Sequence, residues 1–470
     1  MGQKNKRSVD TPRPQVALVT GGGGFLGQAI VRRLLECGYC VSSFSRRSYP
    51  ALQALGVKTF QGDIAEPAAV KEACAGCDVV FHAAAKAGIW GPEEEYYRTN
   101  VIGTENVIES CRSLGISRLI YTSSPSVVFK GGDMESVNES VPYASRFLAS
   151  YPKTKCLAER TVLKANGARL ATVALRPHLI WGPGDPHIIP GLIARARQGK
   201  LRRIGERRLL VDFTYVDDAA QAHLLAAQRL APGSRIAGRA FFISQGQPVS
   251  LWDFVNQILE AAEVPPISRT LSPTMAYRIG WLLEVFYKTL GLRGEPPLTR
   301  FLAEQMSTAH WFDIRAARRE LGYQPSVSTE EGLERLRTWL QALGKPKPDP
   351  PPHRLPGQEE GLKNLTTESQ VDELLEGDTA VIFKHSTRCP SSDFALREVR
   401  TFGTCNPEIP VGMVLVVEDR PLSRYVERKT GVRHESPQAL VVRQGAVLWH
   451  GSHSAVKARL LQEKVAKASS

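Results

Sequence analysis

Three glycines at every third position, Gly21, Gly24 and Gly27, separate the apolar run Val16–Thr20 from the helix-period stretch that begins at Leu26. Glycine at this spacing lets the chain turn tightly. It also lets backbone N–H groups approach a pyrophosphate at a helix N-terminus, where the macrodipole favours negative charge. Gly22 and Gly23 read as filler within that turn. The rest of the first half repeats the strand-then-helix alternation: "QVALVT", "CVSSFS", "VKTFQGDI", "DVVFHAAA", "RLIYTSS" and "ATVALRP" are buried-strand runs with gaps long enough for helices. Such alternation specifies an α/β class, a doubly wound parallel sheet of the NAD(P)-binding Rossmann type.

The residues around the glycines narrow the ligand. Phe25 and Leu26 open the helix beside the expected phosphate path, and Ser45, Arg46 and Arg47 end the second strand. An acid at that place would repel a 2′-phosphate, whereas arginine forms charge-assisted bonds with one, so NADP(H) is favoured over NAD(H). Asp63 and Ile64 after the third strand would flank the adenine. Ala83, Ala84 and Ala85 end the fourth strand with side chains small enough for a cofactor to pass, and His82 reads as a packed core histidine.

"YPKTK" sets Tyr151 and Lys155 one helical turn apart, on one face. "YTSSPSVV" lies between the glycine motif and this pair. Carbonyl chemistry needs three things: a hydroxyl that exchanges a proton with the substrate oxygen, a cation that lowers its pKa, and a second donor. Tyrosine titrates near ~10, so bringing it down by about three units takes about 4 kcal/mol. The set "TGGGGFLG", "HAAAKAG", "NVIGTENV", "YTSSPSVV", "YPKTK" and "LRPHLIWGPGD" resembles an extended short-chain dehydrogenase/reductase of the 3β-hydroxysteroid dehydrogenase type, from about Val16 to Leu343. The resemblance implies Ser124, Tyr151 and Lys155 as catalytic residues. It gives Lys155 the roles of holding the ribose and lowering the tyrosine pKa, and makes Asn100 a buttress. Pro177 and His178 fall in the segment whose backbone meets the nicotinamide carboxamide.

"AAKAGIWG" and "LRGEPPLTRFLAEQMSTAHWFDI" are further similar to the 2-alkyl-3-oxoalkanoate reductases of bacterial olefin biosynthesis. That likeness implies NADPH, a hydrophobic 3-keto acid substrate, a homo-oligomer, and a β-lactone synthetase and β-lactone decarboxylase as partners. A 3β-hydroxysteroid or sterol-4α-carboxylate dehydrogenase is the alternative, and a sugar-nucleotide epimerase or dehydratase the third. Met275–Leu292 and Leu298–Met306 would line or cover a channel for alkyl chains, or simply pack as helices of the smaller lobe.

The chain has 470 residues and a formal charge of +13, with basic runs at Lys4–Arg7 and Arg195–Arg208. No aromatic interleaving accompanies them, so they read as solvated faces with no nucleic-acid partner. Cys37/Cys40 and Cys74/Cys77 have the spacing of a zinc ribbon but sit at helix-to-strand turns without His or Asp helpers, so no metal is expected. No signal peptide is evident, and Arg278, Glu284 and Lys288 interrupt the most hydrophobic segment, Met275–Leu292. A cytoplasmic location is expected, with peripheral membrane association as the variant.

The expected domains are a basic tail (1–14), the dinucleotide-binding domain (15–343) with a substrate lobe from about 181, a proline-rich linker (344–361) and a second domain (362–470). In the last, Cys389 follows a strand and opens a helix, where the dipole favours a thiolate. Ser436-Pro437 precedes a strand, the place of a cis-proline facing the reactive sulfur in a thioredoxin-like fold. This stretch resembles the monothiol bacilliredoxin family over about Val371–Val465. Ser392 stands where a dithiol enzyme has its second cysteine, and the resemblance implies exchange with a low-molecular-weight thiol at Cys389. The competing reading is a degenerate fold used for docking.

Overall fold

A computed structural model describes residues 14–292, 294–344, 362–386, 390–452 and 455–469. The tail, the proline-rich stretch and Cys389 fall outside the described residues. The chain divides into two compact units, with the boundary between Gly344 and Lys345.

In the first unit the strands are β1 (Val16–Thr20), β2 (Cys40–Ser45), β3 (Lys58–Gln61), β4 (Val79–His82), β5 (Arg118–Thr122), β6 (Ala171–Pro177) and β7 (Arg239–Ile243). They form one sheet in the order β7-β6-β5-β4-β1-β2-β3, every pair parallel. The continuous apolar runs follow from this, because a parallel sheet covered by helices is buried on both faces. Successive side chains serve opposite cores: Ala17 and Val19 join one cluster and Leu18 the other, as do Phe81 against Val80 and Ile120 against Leu119. Helices α1 (Phe25–Glu36) and α4 (Val216–Arg229) supply Ile30, Leu34, Ala220 and Leu224 to the first cluster. Helices α2 (Gly103–Leu114) and α3 (Ser150–Lys164) supply Val107, Cys111, Ala158 and Val162 to the second.

The lobe departs from its expected boundary at 181. Arg239–Ile243 returns to the main sheet as its edge strand, and α4 packs against α1. Conversely, Met134–Val137, well before 181, pairs with His310–Phe312 in a small lobe sheet. A run such as "RAFFI" is apolar enough for either place, and only its partner β6 decides. The lobe also holds α5 (Pro273–Thr289) and α6 (Arg300–Gln305).

The second unit is a five-stranded mixed sheet of β8 (Lys363–Asn364), β9 (Ala380–His385), β10 (Val411–Leu415), β11 (Gln438–Arg443) and β12 (Ala446–Ser452), in the order β8-β10-β9-β11-β12. Helices Glu368–Glu376 and Arg420–Thr430 bury Val371, Leu375, Leu422 and Val426 on one face. Helices Pro390–Cys405 and Ala458–Ser469 bury Val399, Phe402 and Leu461 on the other. This is a thioredoxin-like α/β arrangement, and the Ser436–Pro437 peptide is cis. Among the described residues no helix is long and apolar enough to cross a membrane.

Candidate active site

The strands β1, β2, β4, β5 and β6 all end at one edge of the sheet, and the candidate residues gather there. Gly21 leaves β1 with φ +71°, and a β-carbon on it would come within 2.8 Å of the backbone of Ala84. Ala83 and Ala84 are tied to the same place, their amides donating to the carbonyl and hydroxyl of Thr20. A β-carbon on Gly27 would overlap the carbonyl of Gly21, so the helix start packs directly on the turn. Gly24 is the helix N-cap, and a β-carbon there would meet only one atom, the Gly21 oxygen at 3.2 Å. Its lack of a side chain therefore serves whatever approaches from outside. No side chain caps this end, and Gln28 is the first amide to bond back, to Gly24 at 2.8 Å, which leaves the N–H groups of Phe25, Leu26 and Gly27 facing the turn. A pyrophosphate fits such a cradle.

Gly22 and Gly23 are not filler. A side chain on Gly22 would strike the Ser43 hydroxyl, and one on Gly23 the Tyr49 ring. Ser45 accepts from the Gly23 amide at 3.2 Å, tying the end of β2 to the loop, while Arg46 and Arg47 are exposed beyond it. Asp63 is half-buried and held by Arg98 at 2.7 Å and by the Ala65 amide at 3.0 Å. Ile64 is buried in the second core cluster against Gly103. His82 is a core residue, sandwiched between the hydroxyls of Thr20 (2.7 Å) and Thr104 (2.9 Å), and burial pushes its pKa down to about 3.

Ser124 caps a short 3₁₀ turn. Its oxygen accepts from both the amide (3.2 Å) and the hydroxyl (3.0 Å) of Ser126. Burial raises the pKa of Tyr151, and a hydrogen bond with Ser124 opposes that rise. Lys155 lies one turn along α3, almost fully buried, donating to the Thr122 carbonyl at 2.5 Å with its ammonium 4.1 Å over the Tyr121 ring. Desolvation lowers its pKa to about 7, and Glu159 resists this.

Asn100 sits in a π-helical turn, Arg98–Ile102, of the kind often found at functional sites. Its side chain bonds both ways to the Lys86 backbone, at 2.7 and 3.2 Å, and donates to Thr154 on α3 at 3.0 Å. It buttresses the tyrosine helix. His178 donates its N–H to Ile243 (3.1 Å) and Thr214 (3.2 Å), and its ring meets that of His310 (2.8 Å). Pro177 has no N–H. The next residue, Leu179, is held at φ +40°, a conformation that bulky side chains rarely adopt and that strained functional loops do.

Several positioning groups escaped the sequence reading. Glu159 continues the Tyr151–Lys155 stripe by another turn. It is fully buried, pairs with Arg176 of β6 and accepts from the Tyr143 hydroxyl at 2.7 Å. The i+4 spacing was the available signal. Arg176 and Ser126 offered none. The expected channel lining is met only in part: Tyr287 packs edge-on against Trp90 (6.3 Å) and Phe301 against Phe129 (6.1 Å), while much of α5 points outward.

In the second unit, Ser392 is buried and bonded to the Ser386 amide (2.9 Å) and His385 (3.0 Å).

Comparison with known proteins agrees with these arrangements. Residues 18–273 match the 3-beta hydroxysteroid dehydrogenase/isomerase family, and residues 363–461 match monothiol bacilliredoxin BrxC. A 2-alkyl-3-oxoalkanoate reductase of Stenotrophomonas maltophilia is 54% identical over 322 residues, 68% of this chain and 98% of the relative. A sterol-4-alpha-carboxylate 3-dehydrogenase, decarboxylating, of Mus musculus is 36% identical over 343 residues, 72% of this chain and 94% of the relative. Among solved structures, MoeE5 in complex with UDP-glucose and NAD superimposes with a TM-score of 0.54 at 28% identity, covering 70% of this chain and 99% of that one. The chain belongs to the 3-beta hydroxysteroid dehydrogenase/isomerase family, as an NAD(P)-dependent oxidoreductase acting on CH–OH or C=O groups, and carries a monothiol bacilliredoxin domain in its C-terminal unit.

Proposed function

We propose that the first unit reduces the 3-keto group of a hydrophobic 2-alkyl-3-oxoalkanoate to the 3-hydroxy acid, with NADPH. The observation that carries the chemistry is the placement of Tyr151 and Lys155 one turn apart on α3, with the Lys155 ammonium held by the Thr122 carbonyl, two residues before Ser124. The 54% relative named for this reaction supports the substrate class. Gly21, Gly24 and Gly27 with the amides of Phe25 and Leu26 would hold the pyrophosphate. Arg46 would pair with a 2′-phosphate. The bound nicotinamide supplies the hydride. Ser124 and Tyr151 both donate to the substrate oxygen, and Tyr151 passes its proton to the alkoxide as charge develops there. Asn100 and Glu159 act through α3, holding the tyrosine and lysine in place.

Turnover of NADPH with a synthetic 2-alkyl-3-oxo acid, set against turnover of NAD+ with a 3β-hydroxysteroid, tests this reading. The second substrate is the alternative that the mouse relative favours. Tyr151→Phe is expected to lower kcat about 10³-fold; a wild-type rate would overturn the mechanism. Arg46→Ala should raise KM for NADPH by about ten- to a hundredfold and leave that for NADH nearly unchanged.

An assembly with a β-lactone synthetase and a β-lactone decarboxylase, and a homo-oligomeric state, belong to the same proposal and are checked by co-elution. For the second unit, the match to monothiol bacilliredoxin over residues 363–461, with Ser392 in place of a second cysteine, supports thiol exchange at Cys389. There the thiolate would attack a mixed disulfide, take up the low-molecular-weight thiol as a new disulfide, and release the client thiol. A Cys389 pKa at or above about 8.5 would remove this role.

A further inference from the structure

Helix α5 has an apolar face that the lobe does not use. Its inward stripe, Ala276, Gly280 and Glu284, packs toward α6, so closely that a β-carbon on Gly280 would lie 2.7 Å from the backbone of Thr299. Glu284, the one acid of the helix, is buried and bound by Arg300 at 2.7 Å. On the outer side Met275, Trp281, Leu282, Val285, Phe286 and Leu290 are 40–58% exposed. The charges that accompany them are Arg278 and Lys288, both exposed cations.

The charge continues beside the helix. Thr270–Leu271, which leads into α5, pairs with Arg203–Ile204, and the Gly205 amide donates to Leu271 at 2.9 Å. This pairing brings Arg203–Gly205, part of the basic segment Arg195–Arg208 with its seven cationic side chains and one carboxylate, to the start of the helix. Arg207 is paired with Asp133, while Arg197, Lys200 and Arg208 are exposed.

We propose that the outer face of α5 and this basic segment form a docking surface for an anionic lipid bilayer. Bulky apolar side chains, including a tryptophan, on a helix whose exposed charges are all positive match a helix lying in the plane of a membrane interface. Cations beside it are attracted to anionic headgroups. A second copy meeting the same face would set Arg278 and Lys288 against Arg278 and Lys288, cation on cation, which disfavours self-association. At 17 residues the helix lies on a bilayer rather than crossing it.

The test is flotation of the full chain with vesicles of phosphatidylcholine alone and with vesicles that are about one-third phosphatidylglycerol. Binding should be about tenfold greater to the anionic vesicles at low salt and should weaken as salt is added. Vesicles with brominated acyl chains should quench the wild type more than Trp281→Phe, a substitution mild enough to keep the fold. The double variant L282E/F286E should lose binding with an unchanged melting temperature. Equal or no binding to both vesicle types, or undiminished binding by L282E/F286E, would overturn the proposal. So would a light-scattering dimer that L282E/F286E dissociates, because the face would then be an interface between copies.

Discussion

Ser124 does more than supply a second donor. The Ser124 hydroxyl opposes the burial-driven rise of the Tyr151 pKa, so removing it raises that pKa further, while Ser126 holds the Ser124 oxygen in place. Reduction requires the protonated phenol and fails as pH rises through that pKa. Ser124→Ala should therefore move the alkaline limb of the kcat profile to higher pH while lowering kcat/KM on the order of 10²-fold, measured as initial rates across pH. Tyr151 and Lys155 were legible because one helical turn defines them locally. Ser126, two residues from Ser124, was not, since a serine in a turn has many uses until its hydroxyl is seen bonded at 3.0 Å. The glycine run shows the same limit. Spacing identified Gly21, Gly24 and Gly27, but the need for Gly22 and Gly23 comes from Ser43 and Tyr49, which other elements deliver.

Among the elements, α3 is the one on which the site depends. Tyr151, Lys155 and Glu159 lie at successive turns, and the last is clamped to β6 through Arg176, both side chains nearly without solvent contact (0% and 3% exposed). Breaking a buried pair strands the remaining charge, so Glu159→Gln should cost about 3–5 kcal/mol in a denaturant titration. It also removes the carboxylate that counters the desolvation of Lys155. Helix α1 shows the opposite economy, with its first turn left uncapped and its amides open. Strand β7 lies beyond the expected lobe boundary at 181 yet joins the main sheet through β6, because a residue pattern fixes what a strand buries, not which strand it joins.

For the whole molecule, the two sets of core residues do not mix: the clusters of the first unit draw on residues up to Leu340, and those of the second begin at Leu362. A chain ending at Gly344 should thus fold alone and keep kcat/KM for NADPH-dependent reduction within about a factor of two of the full chain, with one melting transition removed. A fragment that aggregates or loses activity would contradict this independence.

Local periodicity was enough to determine the doubly wound class, and short motifs pointed to the glycine cradle and to Tyr151 and Lys155, since each depends on residues within about a turn or a strand. Tertiary structure alone decided that Arg176 pairs with Glu159, that His178 has no free N–H, and that Arg239–Ile243 closes the main sheet. It also decided that α5 keeps its apolar face outward. Each of these joins groups far apart in the chain, and a pattern read along one segment carries no information about which distant surface it will meet.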